Sequence, residues 1–186
     1  MGKSLFDLIE KRFSCRKFVE GKVIDRQLLI KCIEAARLAP SASNSQPWKY
    51  IIVDERTIKD SIIDNLSIGK VKVNQFARNS SALIIVVEEA KNVELTIGQV
   101  LLGRSFAQFD IGCSVMQLAL QATELGLATC ILGMFNEKNI KKILKIPYNR
   151  KIIVVIAIGF PSEDAPEKKR KELSRILSFN NYNNIY

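Results

Sequence analysis

Apolar residues recur at helical spacing at the start of the chain, where Leu5, Leu8 and Ile9 predict a helix over Ser4 to Arg12. A second helix is predicted from about Arg26 to Leu38. Asp25 can cap its start, Leu28, Leu29, Cys32, Ile33 and Ala36 form its inner face, and Pro40 closes it. Tyr50 to Val53 then reads as a strand, followed by a helix near Thr57 to Leu66. Leu83 to Val87 is β-branched and apolar enough to be a central strand. The longest helix is expected from about Ser105 to Leu125, with Gly126 placed to end it. Phe106, Phe109, Cys113, Met116 and Leu120 line one of its faces, while Ile111, Val115 and Leu118 lie on the others. A helix apolar nearly all round belongs in a core or an interface. Thr129 to Leu132 reads as a short strand, Asn136 caps a short basic helix to Lys145 that Pro147 stops, and Ile152 to Ile158 is the last strong strand.

Helices and strands are thus interspersed without the strict alternation of a doubly wound fold. The class is α+β, with a mixed, mainly antiparallel central sheet and helices on both faces. A chain of 186 residues, 47% of them apolar, suits a single domain over residues 1–186, with its core at about 5–177 and a tail at 178–186. The longest apolar run, Ile152 to Phe160, falls short of the roughly 20 residues a membrane-spanning helix needs. Lys3, Asp7, Glu10 and Lys11 interrupt any secretory pattern, and Phe6 stands where a myristoylation signal wants Ser or Thr. The expectation is a cytoplasmic protein with no membrane partner.

Composition changes the picture in two ways. The chain has no histidine, which removes Ser-His-Asp and Cys-His catalysis and most zinc sites. Chemistry then falls to other groups or to a cofactor. The net charge of +9 raises nucleic-acid binding. However, the basic residues are spread from Lys3 to Arg175 with no zinc finger, RNA-recognition strand or glycine-rich arm, so no nucleic-acid partner is expected. Cys15, Cys32, Cys113 and Cys130 show no metal-ligand spacing, and Cys32 and Cys113 fall on apolar helix faces as buried thiols.

Two segments carry candidate chemistry. In Arg12-Phe13-Ser14-Cys15-Arg16, two guanidiniums and a hydroxyl alternate along an extended segment and point the same way. Such a strip can grip phosphate oxygens, or it can simply be solvated. The second, Ala39 to Trp48, packs two prolines, three serines, Asn44 and Gln46 into one loop, with the only tryptophan of the chain anchoring its end. It reads either as a polar turn or as a rigid array of donors and acceptors.

Arg-x-Ser-x-Arg followed by Ala-Pro-Ser-Ala-x-Asn-x-Gln-Pro-Trp resembles the nitroreductase family of flavoproteins. Asn74-Gln75, Gly126 to Phe135, and Lys168 to Leu173 after Gly159-Phe160-Pro161 agree with it, in the family's order and over about Leu5 to Leu177. The resemblance implies a three-layer α/β/α fold and a bound FMN. Arg12, Ser14, Lys168 and Arg170 would hold the phosphate, with Phe13 between the first two. Arg16 and Asn74, followed by Gln75, would face the pyrimidine edge of the flavin. Pro40, Ser41, Ser43 and Asn44 would line the ring and ribityl chain, and Ile131, Leu132 and Gly133 would cover the other face. A backbone amide near Gly133 would donate to flavin N5, so no dedicated catalytic side chain is implied. Some relatives carry a further lysine after the Asn; here Phe76, Ala77 and then Arg78 occupy that neighbourhood. The family likeness also implies a homodimer with FMN at the interface and NADH or NADPH as cosubstrate. A ping-pong transfer to a nitroaromatic, quinone or flavin follows from it. Dehalogenation or flavin fragmentation on the same fold, and a non-redox basic binding module, are the alternatives. The segment 88–104 is short, which suggests a more open or differently covered pocket.

Overall fold

The β-branched run around Val155 becomes the spine of the molecule in a computed structural model that describes residues 4–68, 71–89 and 106–184. Strand β6 (Lys151–Gly159) lies beside β4 (Ala82–Glu88) at the middle of a four-stranded sheet, with β1 (Trp48–Val53) outside β4 and β5 (Ala128–Leu132) outside β6. All three ladders of this sheet are antiparallel. Among the described residues the one parallel contact is an isolated bridge, Ser14 to Thr129, on the outer edge of β5. The expected sheet is therefore present, with its parallel share reduced to that bridge.

Residues alternate across a strand, and β4 shows why all of its core must be apolar. Leu83, Ile85 and Val87 pack with Ile62 and Ile63 of α3 (Arg56–Ile63) and Ile140 of α5 (Glu137–Leu144). Ala82, Ile84 and Val86 turn the other way, against Leu29, Cys32 and Ala36 of α2 (Arg26–Arg37) and Ile111, Val115 and Leu118 of α4 (Ala107–Glu124). Each fully buried Ile or Leu contributes roughly 1.5–3 kcal/mol. With helices on both faces, this is the three-layer α+β architecture.

The helix starts follow their caps. Ser4 and Asp7 form a capping box on α1 (Leu5–Lys11), Asp25 accepts from the Gln27 N–H at 2.8 Å, and Asn136 accepts from the Asn139 N–H at 3.1 Å. Helix α3 stops at Ile63, short of Leu66, because the chain turns there into the small antiparallel pair β2 (Ser67–Ile68) and β3 (Val71–Lys72). Strands this short carry no alternation to announce them.

Helix α4 corrects the expectation that Cys113 is a buried thiol. Its inner face consists of Ile111, Val115 and Leu118 with the small Ala107, Ser114, Ala119 and Ala122, which let it approach the sheet and α2 closely. The bulkier stripe faces outward: Phe109 is 73% exposed and Met116 44%. Cys113 belongs to that stripe and is half-buried, whereas Cys32 is fully buried; all four thiols are free. Leu5, Phe6 and Ile9 of α1 and Leu38 after α2 are exposed too, and an open groove of about 300 Å³ among Leu8, Ala35, Leu38, Gln117 and Leu120 joins the three helices.

After β6 the chain runs without regular structure to a single 3-10 turn at Leu173–Arg175, so Lys168 to Lys171 lie outside any helix or strand. No helix among the described residues is long and apolar enough to cross a membrane. The segment 88–104, from residue 90 onward, lies outside the described residues, and so does the question of what covers the pocket.

Candidate functional site

Arg12 ends α1, and the extended residues after it are stitched to the sheet. The Cys15 N–H donates to the Thr129 carbonyl at 3.0 Å, the Ser162 N–H to Lys17 at 3.0 Å, and the Val19 N–H to Phe160 at 2.9 Å. The segment thus lies between β5 and the chain leaving β6. Its alternation holds: Phe13 and Cys15 join the core, while Ser14 and Arg16 remain exposed and Arg12 half-exposed.

Lys168 arrives at this strip from the far end of the chain. Its ammonium donates to the carbonyls of Ile9, at 2.6 Å, and Glu10. A cation at these last carbonyls of α1 complements the helix dipole. Loss of solvent, then the positive charges of Arg12 and Arg170, hold the Lys168 pKa below its ordinary value. The structure therefore brings Arg12, Lys168 and Arg170 together. Among the described residues none of these three, nor Arg16, has an ion-pair partner. Three clustered cations, with only the Glu10 charge acting on Lys168 and no ion pair formed, make a seat for a polyanion.

Strand β5 carries the next group. Thr129 and Leu132 are buried, Ile131 is 41% exposed, and a side chain at Gly133 would meet nothing within 4 Å. Open backbone at Gly133 beside the apolar Ile131 leaves room for a flat ring. Arg16 lies near enough to Cys130 for its charge to draw that thiol's pKa down, against the larger upward effect of burial.

Asn74 adopts a left-handed conformation, φ 56°, at the head of a 3-10 turn over Gln75–Asn79. That turn is braced from α3. Gln75 Nε2 donates to the carbonyls of Ile63 and Val73, both at 3.1 Å. Lys59, only 9% exposed, donates from Nζ to the carbonyls of Arg78 at 3.2 Å and Ser80 at 2.5 Å. Arg78 pairs with Asp60 at 3.1 Å and Asp64 at 3.0 Å, so the first cation after Asn74 along the chain is held by carboxylates of α3 and its C-cap. Gln75 serves as a brace through its amide nitrogen, and Lys59, whose pKa burial lowers, is a brace the sequence pattern did not reveal.

The polar loop is equally constrained. Ser43, Asn44 and Gln46 all take positive φ (51°, 53° and 45°), at a cost of roughly 1–2 kcal/mol each for residues with a Cβ. The Ser41 hydroxyl accepts from the Gln46 N–H at 3.0 Å, and Gln46 Nε2 donates to the Asn44 carbonyl and Oδ1 at 3.3 and 3.2 Å. Asp110 in the first turn of α4 accepts from the Ala42 N–H at 3.1 Å. Pro40, Ser43 and Asn44 stay exposed.

These two groups do not meet within one chain. Trp48, which follows the loop, stands level with Glu88 and Lys151, whereas Ser14 and Thr129 stand level with Ile158. Seven residues of β6 at about 3.3 Å each and four strand spacings of about 4.8 Å separate them by roughly 30 Å. Helix α4 gives a second ruler. Its 18 residues span about 27 Å, with Asp110 at the loop end and Gly126 and Leu127 feeding β5 at the other.

Residues 9–160 match a family model described as the Nitroreductase family. The chain is 26% identical to the oxygen-insensitive NADPH nitroreductase of Helicobacter acinonychis over 92% of its own length and 94% of that protein's. It is 23% identical to iodotyrosine deiodinase 1 of Mus musculus, over 94% of this chain and 69% of that one. A solved structure from Exiguobacterium sibiricum, in complex with FMN, superposes with a TM-score of 0.81 at 20% identity, covering 96% of this chain and 98% of that one.

Proposed function

Since this chain belongs to the nitroreductase family, we propose that it is an FMN-dependent oxidoreductase working as a homodimer. It would pass electron pairs from NADH or NADPH to a small acceptor such as a nitroaromatic, a quinone or a flavin. The observation that carries this reading is the cluster of Arg12, Lys168 and Arg170, joined through the Ser14–Thr129 bridge to the strand that leads on to open backbone at Gly133. A phosphate monoester near dianionic at neutral pH suits three cations and the Ser14 hydroxyl. Ile131 offers the apolar surface that a stacked ring system takes.

When bound, FMN supplies the two-electron chemistry, reduced by the nicotinamide and reoxidised by the acceptor in a ping-pong cycle. The chain's own residues bind and orient. Arg12, Lys168, Arg170 and Ser14 would hold the phosphate. Arg16 would supply a fixed positive charge, and Asn74 an amide, to the pyrimidine edge, so negative charge there would be stabilised. The Gly133 N–H would donate to the redox-active edge. None of these roles needs a histidine, and protons for the product come from solvent.

The loop of Pro40, Ser41, Ser43 and Asn44 lies too far from this cluster to serve the same flavin within one chain. A two-fold dimer through the outward stripe of α4, with Phe109 and Met116, and the exposed faces of α1 and Leu38 would bring the loop of one subunit to the cation cluster of the other. The same face explains why large apolar side chains stand uncovered in the single chain.

The test is direct. Purified protein should be yellow, should elute at the dimer mass, and should bleach anaerobically with NADH or NADPH. A colourless dimer that takes up no added FMN would sink the reading. The mouse relative favours a second reading, reductive dehalogenation of a halogenated phenol at the same flavin. Release of iodide from iodotyrosine by the reduced enzyme, without turnover of nitroaromatics or quinones, would select it.

A further inference from the structure

Asp110 is the one buried carboxylate among the described residues, 4% exposed on an inner face of α4 whose only other buried polar side chain is Ser114. Burying a carboxylate is expensive unless it is well hydrogen-bonded. Its Oδ2 accepts the Ala42 N–H at 3.1 Å across 68 residues of chain, and its place in the first helical turn suits a negative charge. One turn further on, the Ser114 hydroxyl donates to the Ala36 carbonyl at 2.6 Å, and the Tyr50 hydroxyl meets the same Ser114 oxygen. Helix α4 thus grips the segment from Ala36 to Tyr50 at three points, and Asp110 holds the middle one. Directly after Ala42 come Ser43 and Asn44, both in left-handed conformations that the chain would leave if released.

We propose that Asp110 is a positioning residue for the flavin held by the other subunit. By fixing the Ala42 amide it presents Ser41, Ser43 and Asn44 in one geometry across the dimer. Because α4 also carries the outward apolar stripe, the strut is rooted in the element that sets the subunit contact. The proposal rests on the two-subunit FMN reading given above.

The experiment uses two lesions and a cis–trans comparison in full-length dimers, made by co-expressing differently tagged chains. The first lesion, Arg12→Ala with Arg170→Ala, damages the cation half-site. The second, Asp110→Ala, damages the loop half-site; Asp110→Asn, which keeps an acceptor oxygen, is the conservative control. In homodimers, Asp110→Ala is expected to weaken FMN binding about tenfold or more and Asp110→Asn less, with dimer mass and far-UV circular dichroism retained. With the lesions on opposite chains, one site has both halves intact and binds FMN as the wild type does. With both lesions on one chain opposite a wild-type chain, each site is damaged once and neither retains that affinity. The reverse pattern, or equal binding by the two arrangements, overturns the proposal. Asp110→Asn takes the place of Asp110→Ala in the comparison if the latter does not fold. A wild-type protein that takes up no FMN fails at the earlier step, so the two failures are distinguishable.

Discussion

Removing Arg12 and Arg170 together probes the cation cluster where it is most exposed to test. Each guanidinium offers hydrogen bonds to a charged phosphate worth roughly 1.5–3 kcal/mol. The cluster is partly open to solvent and Lys168 remains, so the joint loss is discounted to about 2–4 kcal/mol. That corresponds to FMN binding weakened about 30- to 1,000-fold. Flavin-fluorescence titration of the apoprotein measures it, repeated at high salt, where the wild-type advantage should shrink. The same substitutions should not destabilise the apoprotein, because they relieve repulsion among three like charges. Lys168 supplies the internal check. Its pKa lies below the ordinary 10.5 in the folded protein, so the unfolded chain binds more protons in the window just under that value. Apoprotein stability should therefore rise as pH climbs through that window, and the rise should be smaller in the double variant. Undiminished flavin affinity in the double variant would refute the phosphate assignment.

Three further outcomes follow from named contacts. Lys59→Met leaves the Arg78 and Ser80 carbonyls without their donor and should cost about 2 kcal/mol, lowering Tm by about 4–8 °C in calorimetry; an unchanged melt would show that Lys59 is no brace. Phe109→Asp should yield monomers by size-exclusion chromatography with light scattering, and those monomers should lose FMN; a stable dimer would move the subunit contact away from the outer face of α4. Gly159→Ala would bring a Cβ to 2.8 Å from Phe18 Cδ1 and 3.1 Å from the Ser81 nitrogen, an overpacking cost of about 1–3 kcal/mol that Phe18→Leu should partly relieve in urea unfolding.

Which features could be read from the sequence depended on whether local pattern or distant contact decided them. Strand β4 was legible because burial on both faces demands an unbroken β-branched run. Helix α2 was legible because Asp25 caps it and its apolar residues share one face. The inner face of α4 was not. Two apolar stripes compete on that helix, and the choice fell to the stripe with small residues, a matter of how closely α2 and the sheet approach. At the site, the alternation of Arg12, Ser14 and Arg16 was readable from the extended segment itself. The approach of Lys168 to Arg12 has no local signature. The bracing roles of Lys59 and Gln75 arise only when α3 and the turn after Asn74 lie side by side. Asp110 did leave a trace, as a lone acid on an apolar helix face, but its partner at Ala42 depended on the fold.

The bond from Lys168 to Ile9 closes a loop of 159 residues, nearly the whole chain. The Val19–Phe160 and Ser162–Lys17 bonds already draw these two ends of the chain together, so the contact costs little further loop closure. During synthesis the sheet strands are all made before Lys168 and Arg170 emerge, so the anion seat is the last part of the architecture to be assembled. Cofactor loading through this seat must then follow synthesis of Lys168 and Arg170 rather than guide formation of the sheet. A ribosome-bound chain ending before Lys168 would carry a nearly complete core and no grip on phosphate.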